Sequence, residues 1–242
     1  METVSSAGLH LSFTQGLFPH PNIMFSWNVH SWSLSVEFFL YLLSPWIISM
    51  ASSFNTKKNL LFLLLMSLLN CLIYIVTIYL KTNDLSYSNL LFEYHPILYF
   101  PTFISGVLLS NLFVLKKAKL EKISKLGFIL SSLVLMISFL FDANKLFYSS
   151  FNPFFQIFFA LLILSSSFSN SFNRFLGWKS MLILGEISYA MYMLQAPIKF
   201  YTQQFLSKVV GYVENTGFVY CSILFIVIII CSYILTFFID PR

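Results

Sequence analysis

Seven blocks of apolar sequence, each about 20 residues long, constrain what this chain can fold into more than any other feature. A helix of that length spans the roughly 30 Å hydrocarbon core of a bilayer. The blocks are apolar all round and lack the period-2 alternation of membrane β-strands. We therefore predict an all-α, polytopic transmembrane helix bundle that forms a single domain over residues 1–242. The expected spans are residues 33–53, 59–80, 96–115, 126–142, 151–169, 181–201 and 218–239.

Composition supports a lipid environment and argues against a nucleic-acid-binding protein. Hydrophobic residues make up 58% of the 242 positions and charged residues only 10%, which is too few charges to cover a soluble fold of this size. The net charge of +5 comes from residues between the apolar blocks, and they form no basic face interleaved with aromatic side chains. We expect the lipid bilayer as a partner and no nucleic acid.

The basic residues also indicate an orientation, because they concentrate on alternate connections between the blocks. Of the 14 lysines and arginines, only Lys81, Lys145, Lys199 and Lys208 fall on the poorer side. The richer side is cytoplasmic by the positive-inside rule. In a cell inner (plasma) membrane, residues 1–32 would then lie outside and the C-terminus inside.

This orientation has to be reconciled with the first residues of the chain. Residues 1–30 contain neither a basic segment nor a continuous apolar core, so they do not read as a cleavable signal peptide. A weakly charged N-terminus can cross a membrane unaided. The same arrangement results when an odd number of upstream helices is missing, and we favour that interpretation.

Two carboxylates lie inside apolar blocks, Glu37 and Glu186, and an ionisable group at membrane depth is a functional candidate by default. Helical spacing aligns Ser33, Glu37, Tyr41 and Ser44 on one stripe, which we expect to face the bundle interior. With a rise of 1.5 Å per residue, Glu37 lies about 6 Å below the outer end of its span, within reach of water. The competing interpretation is an interfacial carboxylate hydrogen-bonded to the serines. Glu186 lies near the cytoplasmic third of its span, where an interfacial role is the favoured interpretation.

A second polar stripe follows Glu186 along the same block. Ser188, Tyr192, Gln195 and Lys199 recur at three- and four-residue spacing and climb to the outer half of the membrane, where Gln195 reaches a depth similar to that of Glu37. Two helices that offer polar groups at one level could bind a hydroxylated molecule. Interhelical hydrogen bonding that only stabilises the bundle is the alternative, and we assign Asn70, Asn111, Asn152 and Gln156 to that role.

No metal site is expected. The three cysteines lie in apolar blocks without the paired spacing of a metal or redox motif. The four histidines all fall on the outer side, and no two of them share a helical face.

Four motifs, in the right order along the chain, resemble the acyltransferase-3 family of integral membrane O-acyltransferases. The most specific is Ser31-Trp32-Ser33-Leu34-Ser35-Val36-Glu37, preceded by Trp27-Asn28, which is similar to the family's Trp-Ser-Leu-Ser-Val-Glu signature. Pro101 to Gly106 resembles a Phe-x-x-Gly helix start, and Leu184 to Tyr189 with Tyr192 and Pro197 resembles a late Gly-x-Ile-Ser-Tyr segment. Ile239 to Arg242 resembles the acidic-Pro-Arg end of the last family helix.

The resemblance implies a fold of about ten helices, of which this chain would represent the fourth to the tenth. The first family helix, with an Arg and a His about eleven residues apart that are thought to carry out acyl transfer, would be absent. The late motif has Gln195 where the family usually has His, so a proton-shuttling role is lost at that position. The resemblance implies Glu37 as the catalytic candidate, in a supporting role. The implied substrate-binding residues are Trp32, Ser33, Ser35, Tyr41, Ser188, Tyr189, Tyr192 and Gln195.

The resemblance also implies the reaction. Acyl-CoA would bind at the cytoplasmic side and donate an acetyl or other short acyl group to a hydroxyl of an extracytoplasmic surface glycan. Without the first-helix His, we expect the chain by itself to be inactive. A polar-solute transporter or flippase is the alternative from another class, although such proteins tend to show two similar halves with broken helices, which this sequence does not. A non-catalytic pseudo-enzyme that keeps the acceptor pocket is a third interpretation.

Overall fold

The structure is a computed structural model, and it describes residues 2–18, 20–83, 93–141, 153–168, 170–210 and 217–239. The regular structure in these ranges is helical, as the sequence predicts. Short 3-10 turns lie at Gln15–Leu17, Val29–Ser31 and Pro96–Tyr99, and the last helix continues as a π-helix over Leu235–Ile239. The α-helices are α1 (Glu2–Leu11), α2 (Pro21–Met24), α3 (Trp32–Ser52), α4 (Thr56–Thr82), α5 (Phe100–Phe141), α6 (Pro153–Ser166), α7 (Asn170–Leu176), α8 (Lys179–Val210) and α9 (Phe218–Ile234).

Five segments of the described chain are long and apolar enough to cross a membrane. Two shorter apolar segments, Leu126–Ile137 within α5 and Phe155–Ser166 within α6, coincide with two further predicted spans. The fold is therefore a helical membrane bundle, while seven crossings remain a prediction. The five spans are Val29–Ser52, Thr56–Thr82, Pro96–Leu115, Lys179–Lys208 and Val219–Phe238.

The exposed faces of these helices are suited to lipid. On α4, Leu64, Leu68, Leu72 and Ile75 recur at three- and four-residue spacing, and each is 56–59% exposed. An apolar stripe of this kind is a liability in water, whereas hydrocarbon solvates it without cost. The chain is accordingly a multi-pass membrane protein.

The largest departure from the predicted spans is in α5. Residues 96–115 and 126–142 were expected to be separate helices, but Phe100–Phe141 is one continuous helix of 42 residues. At 1.5 Å per residue it is about 63 Å long, roughly twice the thickness of the hydrocarbon core. The basic segment between the two apolar blocks, Lys116 to Lys125, consists mostly of strong helix formers and contains neither Gly nor Pro. It therefore continues the helix.

The chain divides into two compact units, and the larger comprises Met1–Met24 and Trp32–Arg174. Polar side chains join its helices: Gln156 Nε2 donates to Thr102 Oγ1 at 2.9 Å, and that hydroxyl donates to Asn70 Oδ1 at 3.2 Å. Asn111 Nδ2 donates to the carbonyl oxygen of Ala51 at 2.6 Å. The structuring role predicted for Asn70, Asn111 and Gln156 is thus confirmed, while Asn152 lies outside the described residues.

Helices α5 and α6 approach closely at a glycine in this larger unit. A Cβ atom built on Gly127 would lie 2.6 Å from Ser165 Oγ, far inside ordinary van der Waals contact. Ser165 itself is buried. Gly127 is therefore required by the packing of the two helices.

The smaller unit comprises Phe25–Ser31 and Phe175–Arg242. Its framework is α8 packed on α9, with Ile187 and Ala190 of α8 and Tyr220 and Ile228 of α9 buried. The turn Val29–Ser31 also packs on α8. This places residues 25–31 beside the second half of the predicted polar stripe.

Candidate functional site

The described residues of the smaller unit contain a hydrogen-bonded cluster, formed by Asn28, His30, Tyr192 and Gln195. Two of these residues, Tyr192 and Gln195, lie on the predicted polar stripe of α8. The other two come from the segment that precedes α3 in sequence. We call this group the His30 cluster.

A proline in α8 explains why the segment docks where it does. Pro197 has no N–H, so the carbonyl of Met193, four residues earlier, has no helical donor. The side chain of Asn28 supplies one: its Nδ2 donates to Met193 O at 2.9 Å. An exposed carbonyl at membrane depth is costly, and neighbouring side chains commonly satisfy the groups that a proline frees. Asn28 thus fixes the segment to α8 at that turn.

The same asparagine positions the backbone of His30. Asn28 Oδ1 accepts from His30 N at 3.0 Å, and Ser31 Oγ donates to Asn28 O at 2.7 Å. On the other side, Tyr192 OH donates to the carbonyl oxygen of His30 at 3.3 Å. Both backbone polar groups of His30 are therefore bonded within the unit.

The imidazole ring of His30 contacts the side chains of both Gln195 and Tyr192. Its Nε2 lies 2.8 Å from Gln195 Nε2, and its ring centroid lies 5.1 Å from that of Tyr192. The amide N–H of Gln195 can only donate, so in this arrangement the imidazole Nε2 accepts and the ring is neutral with its proton on Nδ1. His30 is half-buried and Gln195 is exposed, so the cluster is a preorganised but accessible polar site.

The pair of ring nitrogen and amide is complementary to an alcohol. A hydroxyl group has one proton to donate and lone pairs to accept. Imidazole Nε2 offers an acceptor, and the Gln195 amide offers a donor next to it. The cluster contains the elements needed to orient an O–H group and to take up its proton.

Ser188 and Tyr189, the remaining predicted binding residues of α8, lie outside the His30 cluster. Ser188 Oγ donates to the carbonyl of Gly185 at 2.7 Å, within the same helix. Tyr189 is 56% exposed, and Glu186 is also exposed. Among the predicted residues of this helix, the structure brings only Tyr192 and Gln195 to the cluster.

Glu37 and Tyr41 of α3 lie on the exposed side of the larger unit. The sequence predicted that their stripe faces the bundle interior, but Glu37 is exposed and Tyr41 is 63% exposed. The helix buries Ser35, Val36 and Leu40 instead. The predicted orientation is therefore wrong within the described chain, whereas the substrate role of these residues stays a prediction.

The serines of α3 have structural partners. Ser35 is buried and its Oγ accepts from Gly16 N at 3.1 Å, where a Cβ on that glycine would come within 2.8 Å of Ser35 Cβ. Ser44 Oγ donates to the carbonyl of Tyr41 at 2.8 Å, which Pro45 leaves without a helical donor. Ser33 is half-buried.

Trp32, at the start of α3, packs in an aromatic cluster. Its ring lies 4.9 Å from Tyr94 in an edge-on arrangement and 6.1 Å from Tyr99. Tyr99 OH donates to the carbonyl oxygen of Glu93 at 2.7 Å, and the Glu93 carboxylate pairs with Lys81. Burial, and then the neighbouring Glu93 carboxylate, raise the pKa of Tyr94, so this phenol stays protonated.

His95 follows this cluster and caps the 3-10 turn Pro96–Tyr99. Its Nδ1 accepts from Ile97 N at 3.3 Å. Burial lowers the pKa of His95, because the low-dielectric surroundings disfavour the imidazolium. Among the residues that the structure describes, no group of three or more His, Cys, Asp or Glu side chains could hold a metal ion.

Comparison with known proteins identifies the family. A family model described as an acyltransferase domain matches residues 2–237, nearly the whole chain. The chain belongs to the acyltransferase-3 family. Neither a curated protein nor a solved structure shows significant similarity to it.

Membership in the acyltransferase-3 family gives the helices and motifs a common explanation. The chain is a membrane acyltransferase in general class, which agrees with its apolar helices and with the motif that contains Glu37. Sequence reasoning singled out Tyr192 and Gln195 but missed Asn28 and His30 as their partners. The available signal was Pro197, whose freed carbonyl needs a donor other than the helix backbone.

Proposed function

We propose that this acyltransferase-3 chain binds acyl-CoA and a hydroxyl of an extracytoplasmic glycan, the two substrates between which a short acyl group such as acetyl is transferred. The observation that carries the proposal is the His30 cluster, which presents a hydroxyl-complementary pair within a family of acyltransferases. In the proposed orientation this segment, Asn28 to Ser31, lies on the extracytoplasmic side. A glycan hydroxyl would reach it from there.

The donor is proposed to bind from the opposite side. CoA carries several phosphate charges, and Lys and Arg are the side chains that pair with phosphate. In the seven-crossing arrangement predicted from the sequence, ten of the 14 basic residues fall on the side that the positive-inside rule assigns to the cytoplasm. This distribution supports a donor that is loaded from the cytoplasm and an acceptor that is loaded from outside.

Glu37 has a supporting role in this proposal. Its exposed carboxylate would orient substrate or a partner group at the outer end of α3. Trp32 and Tyr41 on the same helix, and Ser188 and Tyr189 on α8, are proposed substrate contacts. Ser33 and Ser35 are proposed to support that end of α3 from within.

We further propose that the 242-residue chain by itself transfers little or no acyl group. Its two arginines are Arg174 and Arg242, and no histidine lies about eleven residues from either. The Arg and His pairing to which the family resemblance assigns the chemistry is therefore not found in this sequence. Binding of both substrates is retained in the proposal.

A binding experiment tests the proposed function without depending on turnover. The full chain in lipid nanodiscs is titrated with acetyl-CoA and, as a matched control, with acetyl-CoA whose 3′-phosphate has been removed. The proposal expects saturable binding of acetyl-CoA that weakens in the control. A transporter would instead move a polar solute into proteoliposomes without binding acetyl-CoA, and that result would replace the acyltransferase interpretation.

A further inference from the structure

We propose that the acceptor hydroxyl binds between His30 and Gln195, donating its proton to imidazole Nε2 while its oxygen accepts from the Gln195 amide. This inference rests on the proposed function for the class of ligand, a sugar alcohol. It assigns the acceptor site to a residue, His30, to which neither the motifs nor the polar stripes gave a role.

The proposal rests on the short contact between a hydrogen-bond acceptor, imidazole Nε2 of His30, and a hydrogen-bond donor, the side-chain amide of Gln195. Imidazole Nε2 and the Gln195 amide nitrogen are 2.8 Å apart. An entering hydroxyl can replace this direct bond with two bonds of its own, so no polar group loses a partner. Insertion of an alcohol therefore breaks one hydrogen bond and forms two, so it leaves neither His30 nor Gln195 without a partner. An apolar ligand in the same place would break the bond and form none.

The surroundings of His30 are built to hold the ring during that exchange. The backbone N–H and C=O of His30 are bonded to Asn28 and Tyr192 respectively, at 3.0 and 3.3 Å. Asn28 is anchored in turn to the Met193 carbonyl that Pro197 frees. When the ring loses its bond to Gln195, these contacts keep the backbone of His30 in place, and the Tyr192 ring, with its centroid 5.1 Å away, still packs beside the imidazole.

The protonation chemistry follows from the same contact. In the acyl transfer that the proposed function describes, the acceptor oxygen forms a bond to the carbonyl carbon and the carbon–sulfur bond of the thioester breaks. The hydroxyl proton passes to Nε2, and the CoA thiolate collects one proton as it leaves. Gln195 can hydrogen-bond to His30 in both protonation states. Its amide nitrogen donates to the neutral imidazole, and its amide oxygen accepts from the imidazolium.

Chemical modification of the histidines tests the site in the full chain in nanodiscs. Diethylpyrocarbonate carbethoxylates neutral imidazoles, and chymotryptic cleavage at the aromatic residues between the four histidines places them on separate peptides for mass spectrometry. The probes are methyl glycosides of glucose, galactose and mannose at millimolar concentration. We expect at least one glycoside to slow modification of His30 several-fold and to leave His10, His20 and His95 unaffected.

Two variants separate a binding site from a merely structural cluster. Gln195→Leu removes the donor to the acceptor oxygen, and protection of His30 by the glycoside should be lost in a protein whose cooperative melting transition shows that it is folded. Tyr192→Phe removes only the bond to the His30 carbonyl, and protection should persist in weakened form. Equal modification of His30 with and without every glycoside would overturn the proposal, as would full protection in Gln195→Leu.

Acetyl-CoA binding, measured on the same samples, separates this inference from the proposed function. Normal binding of acetyl-CoA without protection of His30 would refute the acceptor site and leave the family assignment and the donor half of the proposed function in place. Protection of His30 without acetyl-CoA binding would refute the donor half of the proposed function and leave the hydroxyl site standing. Should Gln195→Leu fail to fold, Gln195→Met, which is closer in shape and also lacks the donor, takes its place.

Discussion

Replacing Gly127 with alanine tests the packing of α5 on α6, because the same helix provides its own control. A Cβ at Gly127 would lie 2.6 Å from Ser165 Oγ and 3.8 Å from Ser165 Cβ, whereas a Cβ at Gly106, also in α5, meets nothing within 4 Å. Overpacking of this kind costs about 1–3 kcal/mol. The higher helix propensity of Ala than of Gly offsets roughly 0.5–1 kcal/mol of that loss in the free energy of unfolding. We expect Gly127→Ala to lose a net of about 1–2 kcal/mol, and Gly106→Ala to be neutral or slightly stabilised.

Thermal unfolding in detergent, followed by intrinsic fluorescence, measures the difference. For a chain of this size 1 kcal/mol corresponds to roughly 2–4 °C, so Gly127→Ala should melt about 2–8 °C below the wild type. The double variant Gly127→Ala with Ser165→Ala removes the clashing oxygen and leaves the ordinary 3.8 Å carbon contact. It should recover most of the loss. Equal melting temperatures for Gly127→Ala and Gly106→Ala would refute the close approach of the two helices.

Three further predictions concern polar groups and orientation. Thr102→Val removes the hydroxyl through which α5 is hydrogen-bonded to both α4 and α6 and takes from buried Asn70 the donor to its Oδ1, which should cost about 1 kcal/mol in the same melting assay. The pKa of His95 is lowered in the folded protein, so the unfolded chain binds a proton at this residue more readily. The free energy of unfolding should therefore fall as the pH drops below about 6.5. In His95→Asn, which keeps a capping oxygen but does not titrate, this fall should be smaller. Phe18→Cys, in a chain whose native cysteines are replaced, should react with an impermeant maleimide added outside intact cells. Labelling only after lysis would reverse the proposed topology.

The helices were predictable because lipid imposes a simple rule. Apolar blocks of membrane-spanning length must be helical, since nothing in hydrocarbon satisfies an open backbone. The rule does not say where a helix ends in water. The charge of the lysine-rich segment between residues 116 and 125 predicts a connection between two helices. Its residues favour helix, and α5 runs through it to Phe141.

Which way a polar stripe faces could not be predicted in the same manner. Periodicity placed Glu37 and Tyr41 on one side of α3, but polar and apolar residues are both candidates for burial in a membrane protein. Tertiary contact decided the outcome: Ser35 is buried because Gly16 allows the backbone to approach its hydroxyl. The contact joins residues 19 positions apart, and no local pattern encodes it.

In the His30 cluster too, the residues that lie close together in sequence were predictable and their distant partners were not. Tyr192 and Gln195 were predicted from their spacing on one helix. Their partner His30 is 165 residues from Gln195 in sequence, so only the fold could reveal the pair. A glutamine at residue 195, where the family usually has histidine, predicts that this side chain cannot shuttle a proton. The structure places the imidazole of His30 beside that glutamine.

The continuity of α5 affects where proteases can cleave the protein. Trypsin needs a stretch of extended chain to cleave after lysine, and an unbroken helix withholds it. The richest run of lysines in the sequence lies within Phe100–Phe141, so it is a poor place for a nick and for an inserted tag. A reporter domain or an epitope would be tolerated better in a turn such as Ser53 to Asn55, between α3 and α4.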